Sequence, residues 1–152
     1  MPLTLGESLL TPRANAKWLR LVEAPPSAHH GGQYRVYVIE VEPVDPECRF
    51  RFYVGYTSGT VEHRFQQHAD GAKMAARIFK KTESHPRGRA RALRIREDLM
   101  LGSPIFRSKE AALKAEGLLA RRIEARGFQV CCDTKDRLGL KKQLRKLRAS
   151  NA

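Results

Sequence analysis

Apolar positions change their period along the chain, and each change marks an element. Residues 34–41 (YRVYVIEV) are dense in β-branched and aromatic side chains and predict a strand. Pro43, Asp45 and Pro46 end it. Residues 49–56 (RFRFYVGY) set Phe50 and Phe52 against Arg49 and Arg51, the period of two of a half-buried second strand. The short connection predicts an antiparallel hairpin. Thr57-Ser58-Gly59-Thr60 is a turn, with Thr60 as N-cap of a helix over residues 61–69. Residues 70–91 are polar and basic, with a helical piece expected around 72–80. Residues 91–96 alternate Leu93 and Ile95 with arginines and predict a third strand. Gly102-Ser103-Pro104 turns the chain. Ser108 then caps a long helix to about residue 126, in which Ala111, Ala112, Ala115, Leu118, Leu119 and Ile123 recur at helical spacing. Gly127 stops it, and residues 128–132 predict a last short strand.

The ends read differently. Residues 1–33 form an N-terminal extension in which 14–23 predict a short helix with Trp18, Leu19 and Val22 on one side. Pro25-Pro26, His29-His30 and Gly31-Gly32 break the chain after it. Residues 133–152 form a basic tail. Between 137 and 148 it holds six basic residues, no acidic one, and leucines at 138, 140, 144 and 147. That pattern suits a helix that wraps nucleic acid, lies on a membrane or packs on the domain. The expected architecture is α/β of the α+β kind: one domain over 34–132 with a small, mostly antiparallel, three-stranded sheet flanked by helices.

Composition narrows the partners. The chain has 152 residues, enough for one self-sufficient core, and 41% of them are hydrophobic. It carries 29 Lys and Arg against 16 Asp and Glu, a formal net charge of +13. Such a surplus points to a polyanion, most commonly nucleic acid. No apolar run is long enough to cross a bilayer, and no secretory signal pattern opens the chain. Cys48, Cys131 and Cys132 make a poor disulfide framework and suit a reducing cytoplasm. The five histidines make no paired zinc-ligand spacing with them.

One constellation carries chemistry. Tyr37 lies in the first predicted strand and Tyr53 in the second. Arg64 and His68 are four apart and share a helix face. Glu116 lies within the long helix among Ala112, Leu119 and Ala120, where an unpaired carboxylate is costly. The segment Tyr53-Val54-Gly55, the Arg64…His68 helix and the Glu116 helix, in this order, resemble the GIY-YIG nuclease family. The resemblance spans roughly residues 34–132. Arg35-Val36-Tyr37 stands at the first motif without the family glycine, and Phe128-Gln129-Val130 stands where the family often has Tyr-Asn.

The resemblance implies a metal-dependent endonuclease acting on DNA phosphodiesters. Glu116 would hold Mg2+ or Mn2+, with phosphate oxygens and waters completing the shell. Arg64 would pair with the scissile phosphate. Tyr37 or Tyr53 would orient and deprotonate the water, with Tyr37 favoured. His68 would support the phosphate or relay a proton. Gly55, Gln129 and the basic residues Lys80, Lys81, Arg87 and Arg89 would contact the substrate, the basic set by tracking phosphates. Taken singly, each residue also has a plainer reading: strand tyrosines are ordinarily core, and basic helix faces are ordinarily solvated. The rival from another class is a nucleic-acid binder on the same fold without catalysis. A basic RNA- or ribosome-associated protein is a third reading.

Overall fold

The computed structural model describes residues 9–27 and 31–150. The His29-His30 part of the expected break lies outside them. Helix α1 spans Pro12–Glu23. Thr11 caps it by accepting a hydrogen bond from the Ala14 N–H at 3.2 Å, and proline at its first position needs no N–H partner. It starts earlier than the apolar pattern predicts because these two residues supply the start signal. Its buried side chains are Ala14 and Trp18, one turn apart, whereas Leu19 is 48% exposed. The expected Trp18–Leu19–Val22 stripe therefore turns slightly: Trp18 stands edge-on to Phe106, ring centroids 5.2 Å apart, and that contact sets the helix rotation.

Strand β1 runs Gly31–Pro43 and β2 Phe52–Thr57, paired antiparallel with Tyr37 opposite Gly55 and Ile39 opposite Tyr53. Gly31-Gly32 do not break the chain; they open β1, whose first residues pair with β4 (Phe106–Ser108). β3 spans Ala90–Ile95 and joins the other edge of β1 antiparallel, with a register shift at Glu40/Val41. β5, Val130–Cys131, adds to β2 in parallel. The order is β3-β1-β2-β5, with β4 also on β1. The α+β expectation holds, but the sheet has five strands and mixed pairing rather than three antiparallel ones. β5 is the last short strand expected over 128–132, and β4, three residues long, is the strand the pattern does not show. A segment so short leaves no periodic trace, and a partner distant in the chain defines it.

Helix α2, Val61–Ala69, begins at the expected cap: Thr60 Oγ1 accepts from the His63 N–H at 3.1 Å. Helix α3, Lys109–Glu124, is capped by Ser108, and helix α4, Arg137–Ala149, by Asp136. Gly127 takes φ +94° just beyond α3, the left-handed conformation that suits glycine. β2 does not keep a period of two. Phe52, Tyr53, Val54 and Gly55 are all buried, because α3 packs on β1 and β2 while α2 and the segment after it cover Tyr37 and Tyr53. The expected helix around 72–80 is instead a series of turns. Ile78 and Phe79 plug the core there, and the Ile78 carbonyl accepts from the N–H groups of Arg89 and Ala90. The N-terminal α1 packs on α3 and β4, and α4 packs on α3 through the buried Leu147.

Candidate active site

The β1–β2 register creates the centre of the site. Tyr37 faces Gly55 across the hairpin, and its ring lies over the glycine. A Cβ at position 55 would stand 2.6 Å from the Tyr37 hydroxyl oxygen and 2.9 Å from the Tyr53 ring. Gly55 therefore makes room for two tyrosines rather than merely turning the chain. Gly55→Ala is expected to destabilise the fold by about 1–3 kcal/mol, the usual cost of overpacking. A thermal melt coincident with wild type would mean the Tyr37 ring has another place to go.

Tyr37 is fully buried, and its hydroxyl lies 2.8 Å from His68 Nε2. His68 is itself 1% exposed. Its Nδ1 accepts a hydrogen bond from the Ala76 N–H at 3.1 Å, so the ring proton of the neutral imidazole sits on Nε2. His68 thus donates to the Tyr37 oxygen. Burial, and then repulsion from Arg64, push the His68 pKa down to about 3, so it is neutral across the physiological range. It does not line the cleft, and the geometry leaves it to hold the Tyr37 oxygen in place. Burial pushes the Tyr37 phenol far above its ordinary value, and the Arg64 guanidinium pulls it part of the way back. Tyr53, 8% exposed, is raised by burial and then by Tyr37. Phe79 closes the group, its ring 5.4 Å from Tyr53 and 4.9 Å from His68.

A cleft of about 520 Å3 opens beside these tyrosines, with Tyr53, Arg64 and Glu116 in its wall. Arg64 projects from α2 and is steadied by Gln67 Oε1 at 2.8 Å and the Met74 carbonyl. Glu116 projects from α3 and is 3% exposed. One of its oxygens, Oε1, accepts from the Thr134 hydroxyl at 3.0 Å and the Cys132 thiol at 3.2 Å. Gly117 lets the Thr134 backbone approach α3 closely, which brings those donors to Glu116. Burial pushes the Glu116 carboxyl up to about 8, against the two hydrogen bonds that favour its charge. The oxygen donors of this wall suit a hard divalent cation, which one protein carboxylate, phosphate oxygens and waters commonly hold. Among the described residues no group of three or more His, Cys, Asp or Glu side chains is arranged to bind a metal by itself.

The structure brings together Tyr37, Tyr53, Arg64, His68 and Glu116, with Gly55 beneath them. It does not bring Gln129 there. That side chain is exposed, and its backbone carbonyl accepts from Arg51 and Phe52 at the start of β2. Asp133 and Gln143 stand in the cleft wall instead. The four basic candidates lie on neighbouring segments, outside the cleft wall. Lys80 and Lys81 follow Phe79 beyond the end of α2. Arg87 and Arg89 lie by the 44–46 turn, beyond the far end of β1. The Ile78 carbonyl accepts from the Arg89 N–H at 3.0 Å, which sets the two segments side by side. Thr134, Cys132 and Asp133 escape a sequence reading because nothing in their spacing marks a contact with α3. Tyr56 could have been noticed, standing next to Gly55 in the same strand.

Comparison with protein-family models, curated proteins and solved structures finds no match for this chain. No helix among the described residues is long and apolar enough to cross a membrane.

Proposed function

We propose that this protein is a divalent-metal-dependent endonuclease of the GIY-YIG kind, hydrolysing phosphodiester bonds in DNA. One observation carries the reading: a buried carboxyl, an arginine and Tyr53, from three different elements, line one cleft of a chain with net charge +13, with the buried Tyr37 packed against Tyr53 behind its wall. A protein needing only a stable core would not bury Glu116 here, since that costs free energy. A surface that only tracks phosphates would have no use for it either, since a buried carboxyl attracts no anion.

The chemistry divides among these residues. Arg64 would bind the scissile phosphate and the charge that develops on it. Tyr37 would act as a phenolate, its own proton first lost to solvent and its charge favoured by Arg64, and would then take the proton of the attacking water, its oxygen aimed by the His68 N–H. Tyr53 would align that water. Glu116 would hold Mg2+ or Mn2+, and the bound cation supplies Lewis-acid stabilisation of the leaving oxygen. Lys80, Lys81, Arg87 and Arg89 lie on adjoining segments outside the cleft and would track the DNA backbone away from the cut. Plasmid nicking tests the reading. Supercoiled DNA is expected to become nicked in Mg2+ or Mn2+ and to stay intact in EDTA. A purified, folded protein that shifts DNA on a gel but never nicks it would leave a binder without catalysis.

A further inference from the structure

The four tyrosines of the chain all lie on β1 and β2. Tyr37 and Tyr53 are buried, whereas Tyr34 and Tyr56 are only half-buried and line the mouth of the same cleft. Their rings are 6.3 Å apart and tilted by 57°. Lys109, at the start of α3, holds its ammonium 5.9 Å from the centre of the Tyr56 ring. Met74, 67% exposed, adds an apolar, polarisable side chain to the rim, and Gln143 adds an amide that both donates and accepts.

We infer that Tyr34 and Tyr56 form a stacking subsite for an unpaired nucleobase next to the scissile phosphate. The substrate class is then DNA with an unpaired nucleotide at the cut, such as a single strand, a flap or a fork. This rests on the nuclease reading of the cleft and adds to it. Within an intact duplex the faces of the bases are covered by their neighbours. Only a base out of the stack can cover an aromatic ring. Rings that served packing alone would be covered as Tyr37 and Tyr53 are. Lys109 stands where it could leave Tyr56 and meet the phosphate of the stacked nucleotide. Gln143 could read the edge of that base. Burial, and then Glu116, raise the Tyr56 hydroxyl while Arg64 lowers it, so this ring lies within electrostatic reach of both reacting side chains.

The test is a binding titration of the full chain in EDTA, where no cleavage interferes. The probe is a short single-stranded DNA carrying 2-aminopurine, whose fluorescence is quenched on stacking. Wild type is expected to quench it and to bind it more tightly than the same sequence in a perfect duplex. Tyr56→Leu, which keeps an apolar side chain, is expected to weaken single-strand binding by roughly tenfold, the usual range for one base–aromatic stack. Tyr56→Phe, which keeps the ring, is expected to retain it. Tyr34→Leu provides a second reading should Tyr56→Leu melt early. Equal affinities for the Leu and Phe variants, or binding without quenching, would overturn the subsite. Quenching in EDTA with no cleavage of that same single strand, or of plasmid, in Mg2+ or Mn2+ would support the subsite while removing the nuclease reading. Nicking without quenching would remove the subsite alone.

Discussion

Glu116→Gln is expected to abolish metal-dependent cleavage while leaving the protein folded and able to bind DNA. The substitution keeps the shape of the side chain and an oxygen for Thr134 and Cys132. It removes the negative charge that would hold the cation. Loss of roughly a hundredfold or more in nicking rate is the expected size, comparable to removing a main electrostatic stabiliser of a transition state. Gel-shift affinity in EDTA should hold near neutral pH, where the carboxyl is already mostly protonated, and rise above about pH 8, where the substitution removes an anion near the phosphates.

The same variant carries a stability signature. The folded-state pKa of Glu116 is raised to about 8 from an ordinary 4.5. Its ionised form therefore opposes folding increasingly as pH rises from the unfolded to the folded value. Below that window the carboxyl is neutral in both states and costs nothing. In EDTA, Glu116→Gln should thus raise the melting temperature at about pH 8 and change it little at about pH 4. Wild-type cleavage by this variant would remove Glu116 as the metal ligand. A variant melting well below wild type at both pH values would identify Glu116 as a structural residue instead.

Tyr37→Phe is the second large effect. The ring remains, so the stack over Gly55 survives, and only the hydroxyl goes. If that oxygen takes the proton of the attacking water, nicking should fall by roughly 10²–10⁴-fold. Folding should weaken modestly, because the His68 Nε2–H is left buried without its acceptor, a loss of about 1–3 kcal/mol. The rate should also lose its dependence on a phenol. Wild-type nicking is expected to rise with pH as the Tyr37 proton becomes easier to remove, and the residual rate of Tyr37→Phe is expected to be flatter. A variant as fast as wild type, with an unchanged pH profile, would make Tyr37 a core residue and move the base elsewhere, with Tyr53→Phe the next to be measured.

Much of this site is local in origin, and the local part is legible. The Thr60 and Ser108 caps place α2 and α3, because a hydroxyl accepting from the third residue onward needs only its own segment. The four-residue spacing puts Arg64 and His68 on one face of α2 whatever surrounds it. The aromatic, β-branched runs make β1 and β2 strands. Other features depend on partners far along the chain. Residues 72–80 have helix-forming alanines, yet Ile78 and Phe79 are drawn into the core and β3 takes the Ile78 carbonyl, so turns prevail. β4 exists only because β1 offers an edge to a short segment, and β5, expected as a short strand, finds its parallel partner only when β2 is in place.

Short-range information alone therefore accounts for the capped helices and the central hairpin, through spacing, capping and strand pattern. The candidates Tyr37, Tyr53, Arg64, His68 and Glu116 are singled out by the resemblance to the GIY-YIG family, carried by short motifs in those same elements. Long-range packing is responsible for the five-strand mixed sheet and for the exclusion of Gln129 from the cleft. It also converts His68 from an expected phosphate or proton partner into a neutral donor to Tyr37. These outcomes are set by burial and by contacts across long sequence separations: 31 residues between Tyr37 and His68, and 18 between Glu116 and Thr134. Desolvation acts through such contacts, and it moved His68 down and Glu116 up in pKa. No pattern of neighbours along the chain encodes how much water a side chain will lose when the chain closes around it.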